Sequence, residues 1–145
     1  ISGQGLVNES IIDLILSDPF FSRTLPKTLD RNYFHKYLEQ LQAMDKTENI
    51  INSLLKIIPL SIDKLIFDSD PTIILCGGGR KNLTLQKLFR QHFKDVHSID
   101  EYGLDGDYIE SQGMALLSIR FLNKMKSTFT STTGIKREVY LGERC

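Results

Sequence analysis

The sequence predicts an α/β fold that is rich in helix and contains a small, mostly parallel sheet. Three observations support this prediction. A short apolar run at 72–76 precedes three glycines and a helix-like pattern that reaches Phe89. A second short, alternating run follows at 95–100, and a strand, helix, strand succession favours parallel strands with a right-handed crossover. Apolar stripes at helical spacing occupy much of the remaining chain.

The composition is that of one soluble globular domain over residues 1–145. Hydrophobic residues make up 41% and charged residues 25%, which excludes a largely disordered chain. Basic and acidic residues number 18 each, so no net field favours nucleic acid or an anionic membrane as a partner. The most apolar stretch, 50–67, is interrupted by charges and a proline, which excludes a membrane-spanning helix.

The two cysteines do not form a disulfide framework. Cys76 ends the predicted strand, where we expect it to behave as a small buried hydrophobe, and Cys145 is the last residue. Together with three scattered histidines they show no metal-ligand spacing, so we expect no metal site built by the chain. This cysteine usage fits a reducing cytoplasm.

Three helices are predicted before the first strand. The first covers 6–16 and ends before Pro19, and the second is capped by Asp30 and runs to Leu41. The third starts at Thr47, and Pro59 should kink or divide it, with residues 60–67 as its second half. Residues 68–71 then form a turn into the buried strand.

A long helix is predicted after the second strand, from Asp107 to Leu122. Its apolar residues surround most of the circumference, so we expect it to be buried on more than one side. Small residues on it would let a neighbour approach closely: Ser111, Gly113, Ala115 and Ser118. The tail is irregular over 127–133 and strand-like over 138–141.

The Gly-rich turn Gly77-Gly78-Gly79 is the leading candidate for a binding site. A turn between a strand and a helix exposes backbone N–H groups, and glycines let a ligand approach where a Cβ would clash. Two explanations stay open, a tight turn that needs positive φ and a cradle for an anionic or nucleotide ligand. Asn82, at the start of the helix, is either its N-cap or a ligand contact, and the local pattern favours the cap.

A second candidate is the acidic stretch 100–110. Asp100 ends a strand, while Asp107 and Glu110 begin the long helix, where the helix dipole favours carboxylates. One of them could instead point into the cleft above the strand ends, where α/β proteins bind ligands. Glu110 is the better candidate for that role, because Asp107 is well placed to cap the helix.

Other polar residues give weaker signals. The histidines, His35, His92 and His97, are predicted to be peripheral, with no nucleophile to pair with them. Lys27 and Arg31 flank a proline loop and could hold an anion, although exposed loop cations are usually uninvolved. Arg80 and Lys81 are predicted to be solvated.

Several blocks of the sequence resemble the anhydro-N-acetylmuramic acid kinases. The segment 16–34, with Asp18-Pro19-Phe20-Phe21, Pro26-Lys27, Arg31 and Phe34, resembles the family's D-P-Y-F and P-P-K-S-T-G-R-E-x-F motifs. Cys76-Gly77-Gly78-Gly79 with Asn82 resembles its C-G-G-G-x-x-N turn, and 100–110 resembles its D-x-x-G-I-x-G-D-x-x-E-A segment. Thr133-Gly134 and Leu141-Gly142 resemble its closing T-G-A and L-G. The blocks keep the family's order over essentially the whole chain.

The resemblance implies the C-terminal lobe of a sugar kinase with the actin-like, sugar kinase and Hsp70 ATPase fold, which is ribonuclease H-like. Such enzymes use ATP with Mg²⁺ and water to convert 1,6-anhydro-N-acetylmuramic acid to N-acetylmuramic acid 6-phosphate in peptidoglycan recycling in the bacterial cytoplasm. By position, Gly77, Gly78, Gly79 and Asn82 would face the nucleotide, and Glu110 would lie near the sugar or the catalytic water. Relatives also suggest a homodimer.

The chain departs from the family pattern in ways that shape the expectation. The N-terminal phosphate-binding signature G-x-M-S-G-T-S-x-D-G-x-D and the aspartate base are absent, so an N-terminal lobe is missing and the isolated chain is expected to be inactive. Residues 27–32 replace K-S-T-G-R-E, and 111–113 replace A-x-A, which bears on substrate specificity. Two alternatives remain: a non-catalytic nucleotide-binding module, and a truncated structural remnant of such a kinase.

Overall fold

A computed structural model describes residues 3–30, 32–66 and 70–142 of the chain. Helices dominate the described ranges, and two short strands lie between them. In chain order the elements are α1 Glu9–Leu16, α2 Pro19–Ser22, α3 Leu38–Met44, α4 Thr47–Asp63, β1 Thr72–Leu75, α5 Leu83–His92, β2 Asp95–Ser98, α6 Ile109–Leu122 and α7 Thr130–Thr133. Short 3₁₀ helices at Tyr33–Tyr37, Gly78–Lys81 and Ile99–Tyr102 precede α3, α5 and α6. The helix-rich α/β class predicted from the sequence is confirmed.

The main core lies between the first helices. It is formed by buried aliphatic side chains that approach from α1, α3 and α4: Ile11, Ile12, Ile15, Leu41, Ile50 and Ile57. A partly buried aromatic group from the 20–37 segment packs against this cluster: Phe21, Phe34 and Tyr37. The hydrophobic stripes predicted for these helices are therefore the faces that the chain buries.

Helix α1 begins three residues later than predicted, because Asn8 caps it. The Asn8 side-chain oxygen accepts a hydrogen bond from the Ser10 N–H at 3.0 Å, and its side-chain amide donates to Asp45 at 2.8 Å. The backbone N–H of Asn8 donates to the hydroxyl of buried Ser53 at 2.8 Å. Asn8 therefore caps α1 and links it by hydrogen bonds to Asp45, just before α4, and to Ser53 within α4.

Pro59 does not divide α4, which continues as one helix of 17 residues. The ring of Pro59 is among the most completely buried side chains, so tertiary packing holds the helix together despite the missing N–H. The helix ends at Asp63, earlier than the predicted second half over 60–67. The Asp30 cap is also wrong, since its carboxylate accepts the N–H of Asn32, before the helical turn begins.

The two strands pair in parallel, and α5 connects them, as predicted. Thr72 pairs with Asp95 and Leu75 with Ser98, so the carboxyl ends of both strands meet at one edge of the sheet. Phe89 and Phe93, at the end of α5, are buried with their rings 6.1 Å apart. This unit places the Gly-rich turn and the acidic stretch side by side.

Two predictions of burial are wrong. Strand β1 alternates between exposed and half-buried residues, with Ile74 45% exposed, and Cys76 is exposed. Helix α6 has no buried residue, and large apolar side chains project from it into solvent: Met114, Leu116, Ile119 and Leu122. The physical reason is the same in both cases, because no described element packs over these surfaces to bury them.

The tail forms a short helix and a local link instead of a strand. Helix α7 occupies 130–133, within the stretch predicted to be irregular. The carbonyl of Val139 accepts hydrogen bonds from the N–H groups of Ser127 and Thr128, while 138–141 pairs with no strand of the described chain. Among the residues that the structure describes, no helix has both the length and the apolar composition to cross a bilayer. Arg31, Phe67, the turn residues 68–69 and Cys145 lie outside the described residues.

Candidate functional site

The Gly-rich turn leaves β1 at the carboxyl edge of the sheet. Gly77 has φ 67° and ψ −169°, and residues Gly78–Lys81 form a single 3₁₀ turn before α5. Only a glycine adopts this backbone at position 77 without strain, so the tight-turn explanation accounts for Gly77. It does not account for the next two glycines.

Gly78 and Gly79 are exposed, and the chain's own structure does not require glycine at either position. Neither has positive φ; a Cβ at Gly78 would meet nothing within 4 Å, and one at Gly79 would make an ordinary contact with Leu85 at 3.6 Å. Their N–H groups, at the start of the 3₁₀ turn, donate to no acceptor of the described residues. The turn therefore presents open space and two available donors, which is what an anionic ligand requires.

Asn82 is the N-cap of α5, as the local pattern favoured. Its side-chain oxygen accepts hydrogen bonds from the N–H groups of Thr84 at 3.1 Å and Leu85 at 3.2 Å. The side-chain amide of Asn82 donates to none of the described residues. Capping and ligand contact are therefore compatible, because they use different atoms of one side chain.

Arg80 is buried, contrary to the prediction that it is solvated. Its Nε donates to Asp100 at 2.6 Å and its Nη2 to the other oxygen of that carboxylate at 3.2 Å. Nη1 donates to Asp107 at 2.7 Å and to the carbonyl of Gly77 at 3.1 Å. The hydrogen bonds to Asp100 and then Asp107 raise the pKa of Arg80, and those from Arg80 hold the pKa of both carboxyls below their ordinary value.

The acidic stretch is organised by Arg80, and Asp107 is not the cap of α6. The N-cap of α6 is Tyr108, and the Asp107 carboxylate instead receives hydrogen bonds from Arg80 and from Lys81, the latter at 2.6 Å. Asp100 also accepts the N–H of Gly106 at 3.0 Å. Sequence reasoning could have found the Arg80–Asp100 pair, since the carboxyl ends of parallel strands meet at one edge.

Glu110 lies in the first turn of α6 and is exposed. It makes no hydrogen bond or ion pair with the described residues. The structure brings its helix to the Gly-rich turn through Asp107, three residues earlier, but shows no contact between Glu110 and the glycines.

A second buried charge, Asp18, lies in the segment that carries the D-P-F-F motif. Its carboxylate accepts hydrogen bonds from the Lys36 ammonium at 2.6 Å, the Tyr37 hydroxyl at 2.7 Å, the Phe20 N–H at 2.8 Å and the Tyr33 hydroxyl at 3.0 Å. Burial alone would raise the pKa of Asp18, but these four donors outweigh it and lower the pKa. The sequence carried a signal for this cluster, because Tyr33, Lys36 and Tyr37 share one helical face.

The remaining candidates make internal contacts. Lys27 donates to the backbone carbonyls of Phe20 and Phe21, so its ammonium holds a turn of this chain. The ring nitrogens of His97 lie 2.9 Å from Glu101 and 2.7 Å from Asp95, and these contacts raise its pKa. Both side chains serve local structure in the chain described here.

The Gly-rich turn is an open surface and not an enclosed pocket. A concave region of about 600 Å³ is lined by Phe121, Leu122, Lys124 and Tyr140 and includes none of the turn residues. A ligand on the turn would have this chain on one side only.

A family model described as anhydro-N-acetylmuramic acid kinase matches residues 1–145. The chain belongs to the anhydro-N-acetylmuramic acid kinase family. The resemblance inferred from the sequence motifs is confirmed.

Relatives named anhydro-N-acetylmuramic acid kinase are similar to nearly the whole chain. One from Vibrio vulnificus (strain CMCP6) is 31% identical over 96% of this chain and 40% of its own length. One from Gluconobacter oxydans (strain 621H) is 29% identical over 98% of this chain and 40% of its own. One from Methylobacterium nodulans is 33% identical over 92% of this chain and 36% of its own length. The chain spans about 40% of the length of the curated anhydro-N-acetylmuramic acid kinases it matches.

Proposed function

We propose that this chain is the C-terminal lobe of an anhydro-N-acetylmuramic acid kinase with the actin-like, ribonuclease H-like fold. It forms one domain over residues 1–145, and a second lobe supplies the phosphate-binding loop and the catalytic base. Two observations support the proposal. The greater part of the relatives' length has no counterpart here, and α6 presents an apolar surface that a self-sufficient binding module would not leave uncovered.

In this proposal the complete enzyme converts ATP, water and 1,6-anhydro-N-acetylmuramic acid to ADP and N-acetylmuramic acid 6-phosphate. ATP supplies the phosphoryl group that O6 of the sugar receives while water opens the anhydro bridge. The reaction belongs to cell-wall recycling in the bacterial cytoplasm. A homodimer, which the family resemblance implies, stays a prediction.

The nucleotide is assigned to Gly77, Gly78, Gly79 and Asn82. The observation that carries this assignment is that Gly78 and Gly79 have no positive φ, no close neighbour and no acceptor for their N–H groups within the described chain. Glycine at these positions is explained by a ligand that approaches the backbone closely. The open side-chain amide of Asn82 adds a donor at the same end of α5.

Glu110 is assigned to the sugar or the water. An exposed carboxylate without an internal partner can accept a hydrogen bond from a hydroxyl or a water and so hold it in place. The described residues include no group of three or more His, Cys, Asp or Glu placed to hold a metal ion. In this proposal the protein ligands of Mg²⁺ come from the second lobe.

The assignment of the turn is tested by ADP binding to the chain. We expect Gly78→Asp to weaken ADP binding by at least about tenfold, because a side chain and a negative charge enter the space meant for the ligand. The matched control is Gly113→Asp on α6, where an added Cβ also meets nothing within 4 Å. Titration calorimetry measures both.

Thermal unfolding of the same variants separates binding from folding. Neither substitution introduces a contact with the rest of the chain, so both variants should unfold near the wild-type temperature. Undiminished ADP affinity in Gly78→Asp would show that the turn is not the nucleotide site.

A further inference from the structure

Arg80 is a buried cation in an exposed turn. Its side chain is 7% exposed, whereas Gly78, Gly79 and Lys81 around it are exposed. A guanidinium is buried only when its donors are satisfied. The partners of Arg80 therefore indicate which segments its side chain holds together.

These partners come from three separate segments. Arg80 contacts the carbonyl of Gly77 in the turn, both oxygens of Asp100 at the end of β2, and Asp107 just before α6. A third acidic group, Asp105, lies 4.0 Å from Nη2. The planar fork of arginine is suited to this arrangement, since it can pair with one carboxylate through two nitrogens and still reach a second.

Gly106 completes the joint between the turn and the acidic stretch. A Cβ at this position would lie 2.3 Å from Nε of Arg80, so glycine is required for the guanidinium to fit. The backbone of Gly106 donates to Asp100 at 3.0 Å and accepts the N–H of Gly77 at 3.2 Å. The turn and the stretch are thus joined by backbone as well as by charge.

We propose that Arg80 is a positioning residue that holds the turn 77–82 and the stretch 99–107 together as one rigid unit. The inference rests on the proposed function in one respect: the unit is the nucleotide wall, with Glu110 placed beyond it on α6. We do not assign Arg80 to the ligand, because four of its five N–H donors are engaged by Gly77, Asp100 and Asp107. Arg80 fixes the position of the backbone N–H groups of Gly78 and Gly79 relative to the first turn of α6.

The test compares Arg80→Met and Arg80→Lys with Arg23→Met, an exposed arginine after α2 whose side chain makes no hydrogen bond or ion pair with the described residues. Two readouts are needed, the ADP dissociation constant and amide hydrogen exchange over 77–82 and 99–107. The N–H of Gly77 is a direct reporter of the joint, since it donates across it to the carbonyl of Gly106. The N–H of Gly106 reports on the stretch 99–107, within which it donates to Asp100.

We expect Arg80→Met to weaken ADP binding by about tenfold and to speed exchange in both segments together, leaving α1 and α4 protected. The ADP affinity and the exchange rates of Arg80→Lys should lie between those of the wild type and Arg80→Met. An ammonium can still pair with one carboxylate, but it cannot bond to two carboxylates at once as the planar guanidinium does. Arg23→Met should match the wild type in both readouts. If Arg80→Met loses protection throughout, Asp107→Asn, which removes one partner only, should still loosen both segments.

Several results would overturn the inference. Faster exchange in one segment alone, or in neither, would show that Arg80 does not join them. Faster exchange in both with unchanged ADP affinity would show that the joint does not position the site. A wild-type chain that does not bind ADP would refute the proposed nucleotide site, and the exchange pattern would still decide whether Arg80 joins the two segments.

Discussion

Two buried charges, Asp18 and Arg80, organise the two halves of the molecule. Asp18 gathers donors from residues 15 to 19 positions later, and Arg80 reaches carboxylates 20 and 27 positions later. Both carry several hydrogen bonds, which is the condition for burying a charge without a large penalty. Neither sits in the apolar cluster of α1, α3 and α4.

Removing the carboxylate of Asp18 should destabilise the chain. For Asp18→Asn we expect a loss of about 2 kcal/mol in the free energy of unfolding, because four donors lose their charged acceptor. Urea unfolding at pH 7 measures the loss. Asp13→Asn, in the same region but exposed and without a side-chain partner in the described chain, is the control and should change little.

The pKa of Asp18 determines how the destabilisation by Asp18→Asn should change with pH. The pKa of Asp18 is lowered by folding, so its stabilisation is complete above the ordinary value of 3.8 and is lost as the pH falls toward the lower folded value. The difference between the wild type and Asp18→Asn should be constant from pH 5 to 8 and shrink below about pH 4. A difference that grows on acidification would contradict the role assigned to the ion.

Sequence reasoning succeeded where a residue's role is local and failed where its partner is distant. The Asn82 cap follows from the neighbouring residues, and the positive φ of Gly77 fits one of the two explanations that the sequence leaves open. Arg80 was missed because two adjacent cations on a loop are usually solvated, and its partners become visible only once the strands are paired. Gly78 and Gly79 stay open to a ligand, which no local rule could decide.

At the scale of elements, α5 links local structure to the proposed site. Its cap uses the side-chain oxygen of Asn82 and leaves the amide open. The two roles can therefore be separated by substitution.

Asn82→Ser should keep the cap and remove the amide donor. Serine caps helices about as well as asparagine, so the free energy of unfolding should stay within about 0.5 kcal/mol, whereas ADP binding should weaken severalfold. Asn82→Ala is the comparison and should lose about 1 kcal/mol through the missing cap. Equal ADP affinity in wild type and Asn82→Ser would limit Asn82 to capping.

Helix α6 shows why element burial cannot be predicted from periodicity alone. Apolar residues around most of its circumference predicted a helix covered on several sides, yet none of its residues is buried. The pattern reflects the surroundings in which a sequence functions, and in our proposal a second lobe supplies part of them. The same reasoning applies to the exposed faces of β1.

At the scale of the whole molecule, the core that stabilises the chain and the proposed nucleotide-binding residues lie in different parts of the sequence. The main core is within residues 11–57, and the proposed nucleotide wall is within 77–110. The complete catalytic site requires a second lobe in our proposal.

The whole-molecule proposal predicts activity only when both lobes are present. The chain alone should not phosphorylate 1,6-anhydro-N-acetylmuramic acid with ATP, and addition of the upstream lobe of the Vibrio vulnificus relative should give turnover. Failure to gain activity with a lobe that binds the chain would favour a structural remnant. Turnover by the chain alone would show that the catalytic base is present here.

A double substitution on the exposed face of α6 tests whether this face contacts the upstream lobe. Met114 and Leu122 are 64% and 65% exposed, so Met114→Lys with Leu122→Lys should change the free energy of unfolding by less than about 0.5 kcal/mol. The same change should weaken association with the upstream lobe, because charges replace apolar contacts. Unaltered association would place the lobe elsewhere on the chain.

The sheet has only two strands among the residues described, and this has a consequence for handling the protein. Each strand has one edge whose outward N–H and C=O groups meet no further strand of the described chain. Such an edge accepts another strand through main-chain hydrogen bonds, with little regard for its sequence. A second copy can supply that strand, so we expect the isolated chain to self-associate as its concentration rises.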